Sequence, residues 1–224
     1  MVDTGKSPAA DSVAVIGLGR FGGHVATSLV RLGHEVLGID ENMKIIQEWS
    51  DRLTHVVEGD ATELEVLRQL GLGEFGRAVV GIGTDIEASV LTVLNLSDLG
   101  VSEIWAKAIT RNHGKILASV GAHHVIYPEA AMGERVAHLI TSRMLDFIEF
   151  DDDFAIAKVR APADTVDHTL AESALRTRYG VTVVGVKAGG EDFVYGRPET
   201  VVRPGSVLIV AGTTDQVEDF AAVT

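Results

Sequence analysis

No cysteine occurs among the 224 residues. That excludes a disulfide, a thiolate metal site and a cysteine nucleophile, and it fits a reducing cytoplasm. Long apolar runs are missing too. None approaches the roughly 18–20 residues of a spanning helix, so the chain is not expected to enter a membrane by itself. The first stretch, MVDTGKSPAAD (1–11), has no apolar signal core and reads as a loose tail. Positive charge is scarce, with 19 Lys and Arg against 32 Asp and Glu and a formal net charge of −13. Such a surface repels nucleic acid at long range, so neither DNA nor RNA is expected as a partner. The sequence also lacks GxSxG, a Walker A lysine loop and HExxH. Tyr and Lys do not occur at the spacing of a short-chain dehydrogenase. The eight histidines show no metal-ligand spacing. His123 and His124, adjacent on a strand, must point opposite ways, and His168 precedes a short helix at an exposed position.

What is present is periodic. Apolar strand-like runs recur at 13–17, 35–39, 55–59, 77–82, 103–108 and 124–128, with helix-length segments at 21–32, 42–51, 62–70, 85–98 and 111–120 between them. Alternating units of this kind, with strands apolar on both faces, predict an α/β fold: a Rossmann-like, doubly wound parallel sheet covered by helices, over residues 12–129. Residues 130–148 read as a sixth helix in a crossover-and-linker segment, 130–150. Its apolar positions, Met132, Val136, Leu139, Ile140, Met144, Leu145 and Ile148, cover more than a narrow stripe, which suits either a core helix or one packed between two subunits. Glu149-Phe150-Asp151-Asp152-Asp153 is an acidic run and reads as a solvated boundary. Short strands at 154–162, 181–189, 192–196 and 206–212, with helices at 169–180 and 214–223, predict a smaller C-terminal α+β domain over 151–224. A module this small is marginal alone, so pairing with a second copy is expected.

The chemistry concentrates at the ends of the parallel strands. GLGRFG (17–22) is a GxGxxG in its required setting, with a strand before it, a helix after it and an acid about 20 residues on. Gly17 permits the tight turn, Gly19 lets backbone approach a pyrophosphate, and Gly22 allows close helix–strand packing. Phosphates are expected at the positive end of the helix that starts near Phe21. Asp40 ends the second strand, where a carboxylate can accept from both ribose hydroxyls and repel a 2′-phosphate, which disfavours NADP. GDAT (59–62) repeats the device. Asp60 can accept from an adenine amino group, and Thr62 with Glu65 reads as a capping box for the next helix. Arg20 departs from a generic dehydrogenase loop, and its guanidinium can bind phosphate bidentately in its own subunit or a neighbouring one. Lys107 ends the fifth strand at the ligand crevice. Glu129, in the first turn of a helix, either complements the helix dipole or holds a hard cation through oxygen. No acid–base group is placed for hydride chemistry, so the nucleotide reads as a signal rather than a reagent.

Together GLGRFG, Asp40, GDAT, IWAKAIT (104–110), GAHHVIYPE (121–129) and MGERVA (132–137) resemble the regulator-of-potassium-conductance (RCK) family of the Ktr and Trk uptake systems. The likeness runs from Ser12 to the C-terminus, and one nucleotide domain plus one small module resembles the KtrA type. The resemblance implies a non-enzymatic cytosolic subunit whose homodimers assemble to an octameric ring. That ring docks on a membrane-embedded, KtrB- or TrkH-like potassium-translocating subunit at the inner face of the membrane. It implies ATP favouring activation and ADP inactivation, with NAD(H) in the TrkA branch. Gly17, Gly19, Arg20, Phe21 and Gly22 would lie at the phosphates, Asp40 at the ribose, and Asp60, Ala61 and Thr62 around the base. Arg20 would reach the terminal phosphate in the adjacent subunit, Lys107 would add a phosphate contact, and Glu129 would help hold Mg2+ or another cation such as sodium. The helix at 130–148 would be the crossover between dimer partners. The resemblance further implies cyclic di-AMP at the small domain, through an apolar patch and an arginine. Val183 and Val184 fit the patch; Lys187-Ala188-Gly189 supplies no arginine, and Arg197 lies nearby. An NAD-dependent oxidoreductase and a free-standing nucleotide sensor with a soluble target are the competing classes.

Overall fold

A computed structural model describes residues 12–141, 143–150 and 153–224. The expected tail, 1–11, and Asp151 and Asp152 of the acidic run lie outside the described residues. The chain divides between Glu129 and Ala130 into two compact units. In the first, β1 (Val13–Ile16), β2 (Val36–Asp40), β3 (His55–Glu58), β4 (Arg77–Val80), β5 (Glu103–Lys107) and β6 (His124–Ile126) form one parallel sheet. Its order is β3-β2-β1-β4-β5-β6, the doubly wound arrangement expected. The intervening helices are α1 (Arg20–Arg31), α2 (Met43–Trp49), α3 (Leu64–Gln69), α4 (Ile86–Asp98) and α5 (Arg111–Ser119).

Strand alternation divides the core in two. Ala14, Ile16, Ala78, Val80, Ile104 and Ala106 pack with Leu67 of α3, Val93 and Leu96 of α4, and Leu117 of α5. Val13, Val15, Val36 and Val79 pack on the other face with Ala26 of α1 and Ile46 of α2. Successive Cβ atoms of a strand point to opposite faces, so strands buried on both sides read as continuous apolar runs. The strand order reverses between β1 and β4, which puts the crevice for a ligand beyond the carboxyl ends of those strands.

The second unit begins in α6 (Pro128–Thr141) and continues as β7 (Met144–Phe150), β8 (Phe154–Arg160), α7 (Leu170–Ser173), α8 (Leu175–Tyr179), β9 (Thr182–Lys187), β10 (Val194–Tyr195), β11 (Val207–Thr213) and α9 (Thr214–Ala222). The strands form an antiparallel sheet of order β10-β9-β11-β8-β7. Val159, Leu208 and Val210 pack there against Val217 and Phe220 of α9.

Two expectations change. The helix expected over 130–148 stops at Thr141, and Met144–Phe150 is an edge strand in which Phe147 pairs with Ala157 and Ile148 with Ile156. The apolar stripe looked too wide because it fused a helical pattern with a strand; the register slip between Met144 and Asp146 disguised the strand's alternation. The helix expected over 169–180 is two short ones, broken at Ala174, which takes a left-handed φ of 49°. Thr169 starts the first with a capping box to Glu172, and Gly180 ends the second in the left-handed region.

Candidate functional site

The site is built from the loops at the carboxyl ends of β1, β2, β3, β4 and β5. Ile16 leads into Gly17, whose φ of +83° is available to glycine at no steric cost. Gly17 N–H donates to the Ile39 carbonyl at 2.8 Å, and Gly81 N–H to the Ile16 carbonyl at 2.7 Å, so the turn is pinned between β2 and β4. A side chain at Gly22 would overlap the Gly17 carbonyl oxygen, and one at Gly81 would lie 2.8 Å from that same oxygen. Those two glycines permit backbone contact. Gly19 is different: nothing lies within 4 Å of where its Cβ would be. It is the N-cap of α1 and brings no side-chain cap. The first-turn N–H groups of a twelve-residue helix therefore face an open approach, which is the setting of an anion site.

Asp40 sits at the end of β2 and ties the turn to the strand. Its Oδ2 accepts from Leu18 N–H at 2.8 Å and its Oδ1 from Asn42 N–H at 2.9 Å. Each carboxylate oxygen can accept again, so the group is oriented by the backbone and still able to receive hydroxyl donors.

In the loop that follows β3, Asp60 Oδ1 accepts from both Thr62 N–H (2.9 Å) and Thr62 Oγ1 (2.7 Å). This corrects the capping expectation. The N-cap of α3 is Glu63, without a side-chain cap bond, and Glu65 pairs instead with Arg68 at 2.6 Å. The Thr62 hydroxyl serves the turn of its own loop. Ala61 is buried.

The charged part of the site lies at the end of β5. Lys107 Nζ donates to Glu129 Oε1 at 2.5 Å; the lysine side chain is 12% exposed and the glutamate 67%. The ammonium also lies over the Phe21 ring, 5.8 Å from its centroid, and a Cβ at Gly83 would come within 3.1 Å of it. The hydrogen bond from Lys107 holds the Glu129 carboxyl below its ordinary value of 4.5, and the Arg20 guanidinium contributes in the same direction. Arg20, Phe21, Lys107 and Glu129, far apart in sequence, are thus brought to one neighbourhood beside the glycine turn. The lysine is largely enclosed rather than a free surface group.

Three further residues belong to the site without having been expected from sequence. Gly81 and Gly83 follow β4, the strand beside β1, and a glycine pair at that place in the strand order is a signal that could have found them. Asn95, inside α4, donates from Nδ2 to the carbonyls of Ala61 (3.3 Å) and Thr62 (2.8 Å); a single asparagine in a helix carries no such signal. Among the described residues there is no cluster of three or more metal-ligating side chains, and no helix is long and apolar enough to cross a membrane.

Residues 13–128 match the model of the TrkA-N domain and residues 154–223 that of the TrkA-C domain. The Ktr system potassium uptake protein C of Bacillus subtilis (strain 168) is 36% identical over 208 residues, covering 92% of this chain and 94% of that protein. The chain belongs to the RCK family of Ktr and Trk potassium-uptake proteins. Among solved structures, the GsuK channel bound to NAD is similar with a TM-score of 0.65 at 21% identity, over 94% of this chain and 39% of the channel. GsuK bound to ADP is similar with a TM-score of 0.50 at 18% identity, over 55% of this chain and 33% of the other. At those identities the likeness is one of fold.

Proposed function

We propose that this chain is a nucleotide-sensing regulatory subunit of a potassium-uptake system, in which ATP and ADP, or NAD(H), shift the conformation of a ring that acts on a membrane-embedded potassium-translocating subunit. The observation that carries this reading is the meeting of an open helix N-terminus at Gly19 with the cations of Arg20 and Lys107 and the carboxylate of Glu129. Such a site can measure phosphate charge. The family's Ktr relatives, and the NAD and ADP seen with GsuK, support the same reading.

The mechanism is differential binding, since a ligand shifts a two-state assembly only by the difference in its affinity for the two states. Gly17, Gly19 and Gly22 receive the phosphates common to both adenine nucleotides, and Asp40 takes the ribose. Asp40 and the neighbouring Glu41 together disfavour a 2′-phosphate. Discrimination falls to the groups that meet the terminal phosphoryl: Lys107, Arg20 and, through a cation, Glu129. Lys107 is already engaged by Glu129, so an incoming phosphate competes with that carboxylate. A hard cation such as Mg2+ is commonly held by one or two carboxylates together with nucleotide phosphates; Glu129 would supply one carboxylate oxygen, and the ion would neutralise phosphate charge. Arg20, exposed at the mouth of the site, is free to reach the nucleotide of a second copy. Helix α6 has no buried residue in the single chain and exposes Met132, Val136 and Ile140 along one side, which supports homodimer formation through this face; the proposed ring would then be an octamer of such dimers. At the small domain Val183 and Val184 would form the apolar patch for cyclic di-AMP, with Arg197 as the nearby arginine.

A thermal-shift titration with ATP, ADP, NADH and NADPH, each with and without Mg2+, tests the proposal, because a ligand that binds only the folded state raises its stability. ATP and ADP at a hundred times their Kd stabilise by about 2.7 kcal/mol, and NADPH gives no shift. Stabilisation by NADPH alone, or turnover of a metabolite by the purified chain, would sink it.

A further inference from the structure

The loop that carries Asp60 is held from behind by one side chain in a different helix. Asn95 lies in α4, is 9% exposed, and donates to the carbonyls of Ala61 and Thr62. Its amide nitrogen has two hydrogens, and both are used on consecutive peptide groups. In a trans peptide the N–H points opposite the carbonyl of the same plane. Drawing the Ala61 carbonyl inward therefore turns the Thr62 N–H outward, where it meets Asp60 Oδ1 at 2.9 Å. The same loop brings the Thr62 hydroxyl to that oxygen at 2.7 Å. Oδ1 is thereby occupied twice, and Oδ2 is the atom left to face a ligand. The place and orientation of the free carboxylate oxygen derive from peptide planes that Asn95 sets.

We propose that Asn95 is the positioning residue that aims Asp60 at the exocyclic amino group of an adenine base, and so gives the site its preference for adenine over a 6-oxo purine. The inference rests on the nucleotide-binding reading above. Asn95 touches no ligand; it acts through the 61–62 backbone. An oxygen that can only accept meets a donor in adenine and another acceptor in hypoxanthine, so the preference depends on where that oxygen stands.

The test measures binding of ADP, IDP and inorganic pyrophosphate to the full chain and to Asn95→Ala and Asn95→Ser, with thermal melting in parallel. Serine retains one donor and guards against a variant that fails to fold. ADP binding is expected to weaken about tenfold in Asn95→Ala, the loss typical of one to two net hydrogen bonds. The ADP-to-IDP ratio falls toward one, pyrophosphate affinity stays within twofold, and Asn95→Ser lies between. A variant with a lowered melting temperature but an unchanged ADP-to-IDP ratio overturns the proposal, because a merely structural asparagine would behave so. Equal weakening of all three ligands, or a wild-type chain that binds ADP and IDP alike, also overturns it. A wild-type chain that binds neither ADP nor pyrophosphate removes the underlying reading itself, an outcome distinct from the others.

Discussion

Lys107 and Glu129 show how much a single pair can decide. The ammonium is mostly enclosed, stands over Phe21 and is hydrogen-bonded to a carboxylate that is itself largely in water. Such a half-exposed pair contributes little to stability, with exposed pairs measured at about 0–1 kcal/mol. Its consequence is competitive, because phosphate and carboxylate want the same ammonium. Glu129→Gln removes the charge, so Mg2+-free ATP should bind up to about fivefold more tightly, the equivalent of about 1 kcal/mol, while the gain from added Mg2+ shrinks. Calorimetry with and without Mg2+ reads both; weaker Mg2+-free binding would contradict the assigned competition. The pair also has a pH sign. Because the folded-state carboxyl titrates below 4.5, its contribution is present above that value and is lost as pH falls through the lowered one. Most of this cluster was legible as residue types at strand ends. The pairing of Lys107 with Glu129 was not, since it arises from the geometry of β5 and α6 rather than from any local pattern. Asn95 was invisible for a related reason: its partners lie 33 and 34 positions away and its helix reads as ordinary.

Among the elements, α5 encloses a titratable ring near its start. Thr110 caps it by accepting from the His113 N–H at 3.1 Å, and His113 itself is 2% exposed. The imidazole Nδ1 accepts weakly from Ile109 N–H at 3.4 Å, and Nε2 is a buried atom with no hydrogen-bond partner among the described residues. Burial pushes this histidine below its ordinary value of 6.5. The folded state then binds fewer protons than the unfolded one, so stability is complete above about pH 6.5 and declines as pH falls below it. His113→Gln keeps an acceptor and removes the titration. Melting temperatures of wild type and variant from about pH 7 to pH 5 should show a steeper decline for wild type, and parallel slopes would contradict the assignment. The parallel sheet was the readily legible element, since strands buried on both faces are continuous apolar runs and the glycines punctuate them. Met144–Phe150 was not. Its strand character comes from pairing with β8, and a bulge breaks the period-two pattern that would have revealed it. The capping box at Thr62 failed for another reason: Asp60, two residues earlier, claims the threonine hydroxyl for an Asx-type turn.

In the subunit proposed above, α6 starts at the candidate phosphate site and carries an exposed apolar side. Glu129, in the first turn of α6, and Ile140, 78% exposed near its far end, lie on the same helix. A change in what Glu129 binds is therefore a change at the base of the surface proposed for the partner copy. With a net charge of −13, copies of this chain repel one another at long range, so a homo-oligomer would need specific contacts to offset that repulsion. Arg20 is the residue through which one copy would sense the nucleotide of another, and it carries the central claim that the ligand biases shape without being consumed. Titration of ATP and of ADP into the assembled wild type and into Arg20→Ala, with the nucleotide recovered and analysed afterwards, tests that claim most directly. Wild type is expected to distinguish the two, Arg20→Ala to bind ADP within about twofold of wild type while losing about tenfold for ATP, and the nucleotide to be recovered intact. Equal losses for both nucleotides, or ATP returned as ADP on the timescale of gating, would contradict that claim.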